Sequence, residues 1–177
     1  MLNIVYLVST LKRTGPISQL YNLLRYLDYN CYRPSVITLS REPQDSRWSD
    51  FKQLGFDLYS LGLSRPAGIL LGHRYFNKVI DRFKPELIQS HGFRPDMLAA
   101  SYSSRIPTIS TLRNYPQLDY PLTYGIAGRL MAWQHMKYMK KISYCVGVSE
   151  AVYRNAKENL GINKIRIIHN GVDKEFF

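Results

Sequence analysis

Short apolar runs alternate with helix-patterned segments from one end of this sequence to the other. The first run, Asn3 to Thr10, holds Ile4, Val5, Tyr6, Leu7 and Val8 in succession, the composition of a strand buried on both faces of a sheet. It ends in a polar turn, Leu11-Lys12-Arg13-Thr14-Gly15-Pro16, after which Ile17, Leu20, Tyr21, Leu24 and Leu27 recur at helical spacing. Pro16 suits the start of that helix, where the N–H it lacks has no intrahelical partner. Gly15, just before it, lets backbone approach a ligand closely.

Further strands are expected at 35–39, 56–61, 87–90, 107–112, 144–148 and 165–168. Helices are expected over 48–54, up to Phe83 before Pro85, from about Pro95, over Leu122 to Lys141, and from a Ser149 cap to Leu160, with Gly161 after its end. The tyrosine- and proline-rich stretch from Tyr115 to Pro121 is expected to be irregular. Strands separated by helices at this spacing form parallel βαβ units with right-handed crossovers. The expected fold is therefore α/β, a doubly wound Rossmann-like parallel sheet of about seven strands.

Sheets of this kind bind ligands beyond the carboxyl ends of their strands, and the polar residues of this chain gather at those ends. Thr14 and Gly15 follow the first strand, His91 and Arg94 the fourth, and Arg113 and Asn114 the fifth. The first turn would aim backbone N–H groups, flanked by Lys12 and Arg13, at a phosphate or other anion. An ordinary strand-to-helix turn has the same composition. A lone histidine is commonly structural, but His91 stands in a glycine-containing turn among arginines, which argues for a cleft.

With 24 Lys and Arg against 13 Asp and Glu, the net charge of +11 favours polyanionic partners: phosphates, anionic headgroups or nucleic acid. The basic residues are scattered and match no nucleic-acid reading motif, so nucleic acid is not the expected partner. Cys31 and Cys145 lie far apart, lack metal-ligand spacing, and read as packing residues. Walker A and dinucleotide glycine fingerprints, a nucleophile elbow and zinc spacing among His73, His91, His135 and His169 are all missing. No two aspartates bracket a single residue, so the divalent-cation signature of metal-dependent nucleotide-sugar enzymes is missing too. The chain starts without a basic leader or an apolar span, and the expected location is cytoplasmic.

The segment Ile167-Ile168-His169-Asn170-Gly171-Val172-Asp173-Lys174-Glu175-Phe176 resembles the interdomain connection of the retaining glycosyltransferases of family 4, also called group 1. Val146-Gly147-Val148-Ser149-Glu150 resembles the strand and helix cap preceding it in that family, and Ser90-His91-Gly92 its central histidine turn. Thr14-Gly15-Pro16 stands where the glycine-rich first turn belongs, with one glycine in place of the frequent pair and with Pro16 removing an N–H donor.

The resemblance implies one half of a GT-B architecture. Residues 1–168 would be the N-terminal, acceptor-side Rossmann-like domain, and 169–177 the start of a linker to a C-terminal donor-binding domain. The activity implied is transfer of a sugar from a nucleotide-sugar donor to a saccharide or lipid-linked saccharide, in polysaccharide biosynthesis for instance. Configuration is retained, no metal is needed, and no cofactor takes part besides the nucleotide-sugar co-substrate. His91 would be the catalytic residue, hydrogen-bonded to the transferred sugar. Thr14 and Gly15 would border the donor diphosphate, and Asn170, Gly171 and Asp173 would form the hinge. Position assigns Arg94, Arg113 and Asn114 to the acceptor. A non-catalytic nucleotide-sugar or phosphosugar binding module is the alternative, and the chain by itself is expected to be inactive.

An anionic membrane surface, at the inner face of the membrane, is suggested as a partner by the helix from Leu122 to Lys141. At ~100° per residue, Arg129, Trp133, Lys137, Lys140 and Lys141 fall on one side, with Ala127, Met131, Tyr138 and Ile142 nearly opposite and expected to face the sheet.

Overall fold

The computed structural model describes residues 1–172, apart from the side chains of Arg65 and Ile69. Seven strands, β1 (Leu2–Val8), β2 (Tyr32–Thr38), β3 (Asp57–Ser60), β4 (Leu87–Ser90), β5 (Thr108–Leu112), β6 (Tyr144–Gly147) and β7 (Ile165–Ile167), form one parallel sheet. Their order is β3-β2-β1-β4-β5-β6-β7, so the chain winds outward from β1 and then returns to its other side, as doubly wound folds do. The intervening helices are α1 (Gly15–Arg25), α2 (Trp48–Gln53), α3 (Arg65–Phe83), α4 (Phe93–Tyr102), α5 (Pro116–Lys141) and α6 (Glu150–Glu158).

Two compact units divide the described residues: Met1–Ile88 together with 170–172, and Gln89–His169. In the first, β1 is buried on both faces, as its uninterrupted apolar run predicts. Ile4, Tyr6 and Val8 join Leu11, Ile17, Leu20, Leu24, Val36 and Phe51 in one cluster, while Val5 and Leu7, at the alternate positions, are equally buried. Full burial of such a side chain contributes about 1.5–3 kcal/mol.

The second unit packs Leu112, Met139, Ile142, Cys145, Val152, Ala156, Leu160 and Ile165 into its own cluster. Cys145 is a packing residue as expected, and burial pushes its thiol up to about 12. A Cβ at Gly147 would stand 3.1 Å from the Tyr153 amide nitrogen, so β6 and α6 meet closely there. Ser149 caps α6 by accepting from the Val152 N–H at 3.2 Å.

Three expectations are corrected. Only Tyr115 of the stretch from Tyr115 to Pro121 is outside a helix, as the extended N-cap: Pro116 sits in the first turn of α5, and the helix runs through Pro121 to a kink at Gly125 (φ 57°, ψ −132°). Beyond the kink, the face of α5 that packs inward is set one residue on from the expected one. Its buried stripe is Gly128, Ala132, His135 and Met139, whereas Ala127 is exposed and Met131 and Tyr138 are only half-buried. Cys31 is exposed rather than packed.

Candidate active site

The turn after β4 is built over a buried polar chain. Ser90, the last residue of β4, donates its hydroxyl to Asp96 Oδ1 at 2.5 Å, and His135 Nε2 lies 2.7 Å from Asp96 Oδ2. The other ring nitrogen, Nδ1, lies 2.9 Å from the Tyr120 hydroxyl. Ser90, Asp96 and His135 are all buried, and His135 is only 2% exposed. With Asp96 ionised the network assigns the tautomer: Nε2 donates to the carboxylate, and Nδ1 accepts from the tyrosine hydroxyl. Asp96 also lies in the first turn of α4, where the helix dipole favours negative charge. Tyr120 stacks on His135, Phe93 packs edge-on against both rings, and burial raises the Tyr120 phenol.

His91 leaves this floor through Gly92, whose φ of 93° and ψ of 171° belong to glycine alone, and the Gly92 carbonyl accepts from the Asp96 N–H at 2.9 Å. The His91 ring is half-buried, yet both of its nitrogens are shielded from solvent and neither has a hydrogen-bond partner among the described residues. Burial depresses its pKa to about 4, the Arg113 guanidinium adds to that, and the Asp96 carboxylate partly opposes it. At neutral pH His91 is therefore an uncharged imidazole with one donor and one acceptor unspent, which matches the donor-and-acceptor character of a hydroxyl. An imidazole in that state can pair with a hydroxyl and carries no positive charge at neutral pH.

The structure thus brings Arg113 into the electrostatic neighbourhood of His91, and burial lowers the Arg113 pKa. Arg94 is half-buried with one guanidinium nitrogen shielded, and Asn114 is exposed. In the other unit, Thr14 is the N-cap of α1 and donates its hydroxyl to the Lys12 carbonyl at 3.3 Å rather than capping the helix. Gly15 is exposed, and a Cβ there would meet nothing within 4 Å, so the fold itself does not demand glycine. Lys12 pairs with Asp45 at 3.7 Å and Arg13 with Asp50 at 3.6 Å, which offsets part of the positive charge expected there. Asn170 and Gly171 are exposed coil, and Asp173 lies outside the described residues.

The sequence model of Glycosyltransferase Family 4 matches residues 15–176. The chain belongs to this family. No curated protein sequence matches it. Among solved structures it is similar to Anabaena HepE in complex with UDP, with a TM-score of 0.69 at 18% identity over 97% of this chain and 45% of that one. It is similar to sucrose-phosphate synthase of Thermosynechococcus elongatus, with a TM-score of 0.75 at 12% identity over 99% of this chain and 50% of that one. UDP-GlcNAc 2-epimerase of Neisseria meningitidis bound to UDP-GlcNAc gives 0.59 at 16% identity over 94% and 46%. At these identities the likeness is one of fold, and the chain spans about half the length of the structures it matches.

In this family 4 chain, Asp96, His135 and Tyr120 are the site residues that sequence reasoning passed over. Asp96 and His135 stand 39 positions apart, and His135 has neither a motif nor a glycine turn around it. One signal existed: a histidine on the same face as Gly128, Ala132 and Met139 must be buried with a partner.

Proposed function

We propose that this chain is the N-terminal, acceptor-side half of a metal-independent, retaining glycosyltransferase that draws on a nucleotide sugar and glycosylates a saccharide or lipid-linked saccharide. The observation that carries the reading is His91: a neutral imidazole at the carboxyl end of a strand, its nitrogens shielded and without partners among the described residues. Buried polar atoms are rarely left so unless a ligand completes them. A sugar hydroxyl fits both nitrogens. Arg113 beside it, with Arg94 and Asn114 from neighbouring turns, supplies the donors that hold an acceptor or steady developing phosphate charge. Thr14 and Gly15 border the donor diphosphate, and the segment of Asn170, Gly171 and Asp173 is the hinge to a donor-binding domain. The UDP and UDP-GlcNAc bound by similar structures support a nucleotide sugar as the donor class. The enzyme works in the cytoplasm on a polysaccharide precursor.

The test is donor turnover by this chain joined to its C-terminal continuation, with a panel of nucleotide sugars and release of nucleoside diphosphate as the readout. Release that depends on acceptor and collapses in His91→Ala supports the proposal. Tight nucleotide-sugar binding without release on any acceptor would assign a non-catalytic binding module instead. The isolated 177-residue chain is expected to release none.

A further inference from the structure

Six large apolar side chains of α5 stand exposed: Leu118, Leu122, Tyr124, Ile126, Leu130 and Trp133. Leu122 and Ile126 flank the kink at Gly125, and each keeps 86% of its surface open. Single exposed apolar residues are ordinary on a soluble domain, but a run of this density in one segment marks a contact surface. Nor is the segment a frayed end. Tyr120 ties it to His135 at 2.9 Å, and an ideal Cβ at Gly128 would fall 2.0 Å from the Tyr120 carbonyl oxygen, so the two halves of α5 are pressed together.

Charge selects the occupant. Between Asp119 and Glu150 there is no acidic residue, and Arg129, Lys137, Lys140 and Lys141 are all exposed. The Lys137 ammonium lies 3.5 Å from the Trp133 ring centroid, so cation and aromatic form one amphipathic patch. Protein interfaces are depleted in lysine at their cores, and a nucleic acid would leave Leu122 and Ile126 in water. Apolar side chains to insert, a tryptophan, and lysines for headgroups together fit an anionic lipid surface. No helix among the described residues is long and apolar enough to cross a membrane, so the contact lies on the surface of the bilayer.

We infer that the elbow of α5 around Gly125 docks onto an anionic membrane, with Leu122 and Ile126 entering the acyl boundary and Arg129, Lys137, Lys140 and Lys141 at the headgroups. This goes beyond the transferase reading and does not depend on it.

Vesicle co-sedimentation tests it, comparing phosphatidylcholine alone with phosphatidylcholine–phosphatidylglycerol mixtures. Binding should require phosphatidylglycerol and weaken with salt. Changing Lys137, Lys140 and Lys141 to glutamine should cost roughly fivefold each, on the order of a hundredfold together at low salt. Leu122→Ser with Ile126→Ser should reduce binding at every salt concentration, and circular dichroism should remain that of wild type because both side chains are already in water. Failure of the wild type to bind anionic vesicles overturns the inference. So does equal binding by both variants, or sedimentation equilibrium showing that the serine variant loses a self-association while no variant touches lipid.

Discussion

His135 Nε2 lies 2.7 Å from Asp96 Oδ2, both side chains almost wholly buried, and the bond joins α5 to the first turn of α4, whose Asp96 carboxylate acts electrostatically on His91. Removing one partner strands the other in low dielectric. His135→Ala is expected to lower unfolding free energy by about 3–5 kcal/mol, read from urea denaturation, and Tyr120→Phe by about 1 kcal/mol. A loss for His135→Ala no larger than for an average surface substitution would mean that the pair is open to water.

His91 makes stability depend on pH in a defined direction. Its folded pKa of about 4 lies below the ordinary 6.5, so the unfolded chain binds the proton better between those values. Stability is fully present above about pH 6.5 and declines as pH falls toward 4, by up to about 1.4 kcal/mol per pH unit. His91→Gln should flatten that decline while leaving stability at neutral pH little changed. Urea midpoints of the two proteins across the window give the answer, and parallel curves would return His91 to an ordinary exposed titration.

Two glycines should part company. Gly92→Ala forces φ 93° on a residue with a Cβ and is expected to cost about 1–3 kcal/mol and to displace His91, although the added methyl meets nothing within 4 Å. Gly15→Ala also meets nothing, and its φ is not positive, so stability should hold or rise by up to about 1 kcal/mol. Any loss of nucleotide-sugar affinity in the Gly15 variant, measured by calorimetry on the chain joined to its continuation, then reports on the ligand rather than on the fold.

The two thiols should differ in reactivity. Cys31 is exposed, and its hydrogen bond with the Asp28 carboxylate holds the thiol above its ordinary value, so it should alkylate in the folded protein, more slowly than a free thiol. Cys145, buried with its thiol pushed up to about 12, should react only after unfolding. Mass spectrometry should count one adduct per native chain and two in denaturant.

The order of strands and helices was legible because β1 carries an apolar run and β5 a stretch rich in β-branched residues after Pro107, and period is a local property. His91, Arg94, Arg113 and Asn114 were legible as strand-end residues for the same reason. The polar network next to them was not, since the Asp96–His135 pairing depends on how α5 packs on α4, and no local pattern reports a contact 39 residues long. The wheel drawn through Ala127 missed the buried face by one residue, because Gly128, Ala132, His135 and Met139 form a stripe too weakly apolar to stand out from its neighbours.

Gly125 carries a consequence of handedness. Its φ of 57° and ψ of −132° are close to the mirror image of an extended L-residue, so the site is stereochemically that of a D-amino acid. Gly128, by contrast, is required because the Tyr120 backbone occupies the place of a Cβ. A chain assembled with D-alanine at 125 should keep the elbow and gain stability from the lost freedom of the unfolded state, whereas L-alanine there should straighten or break it. The turn that presents Leu122 and Ile126 is thus written in chirality rather than in side-chain chemistry.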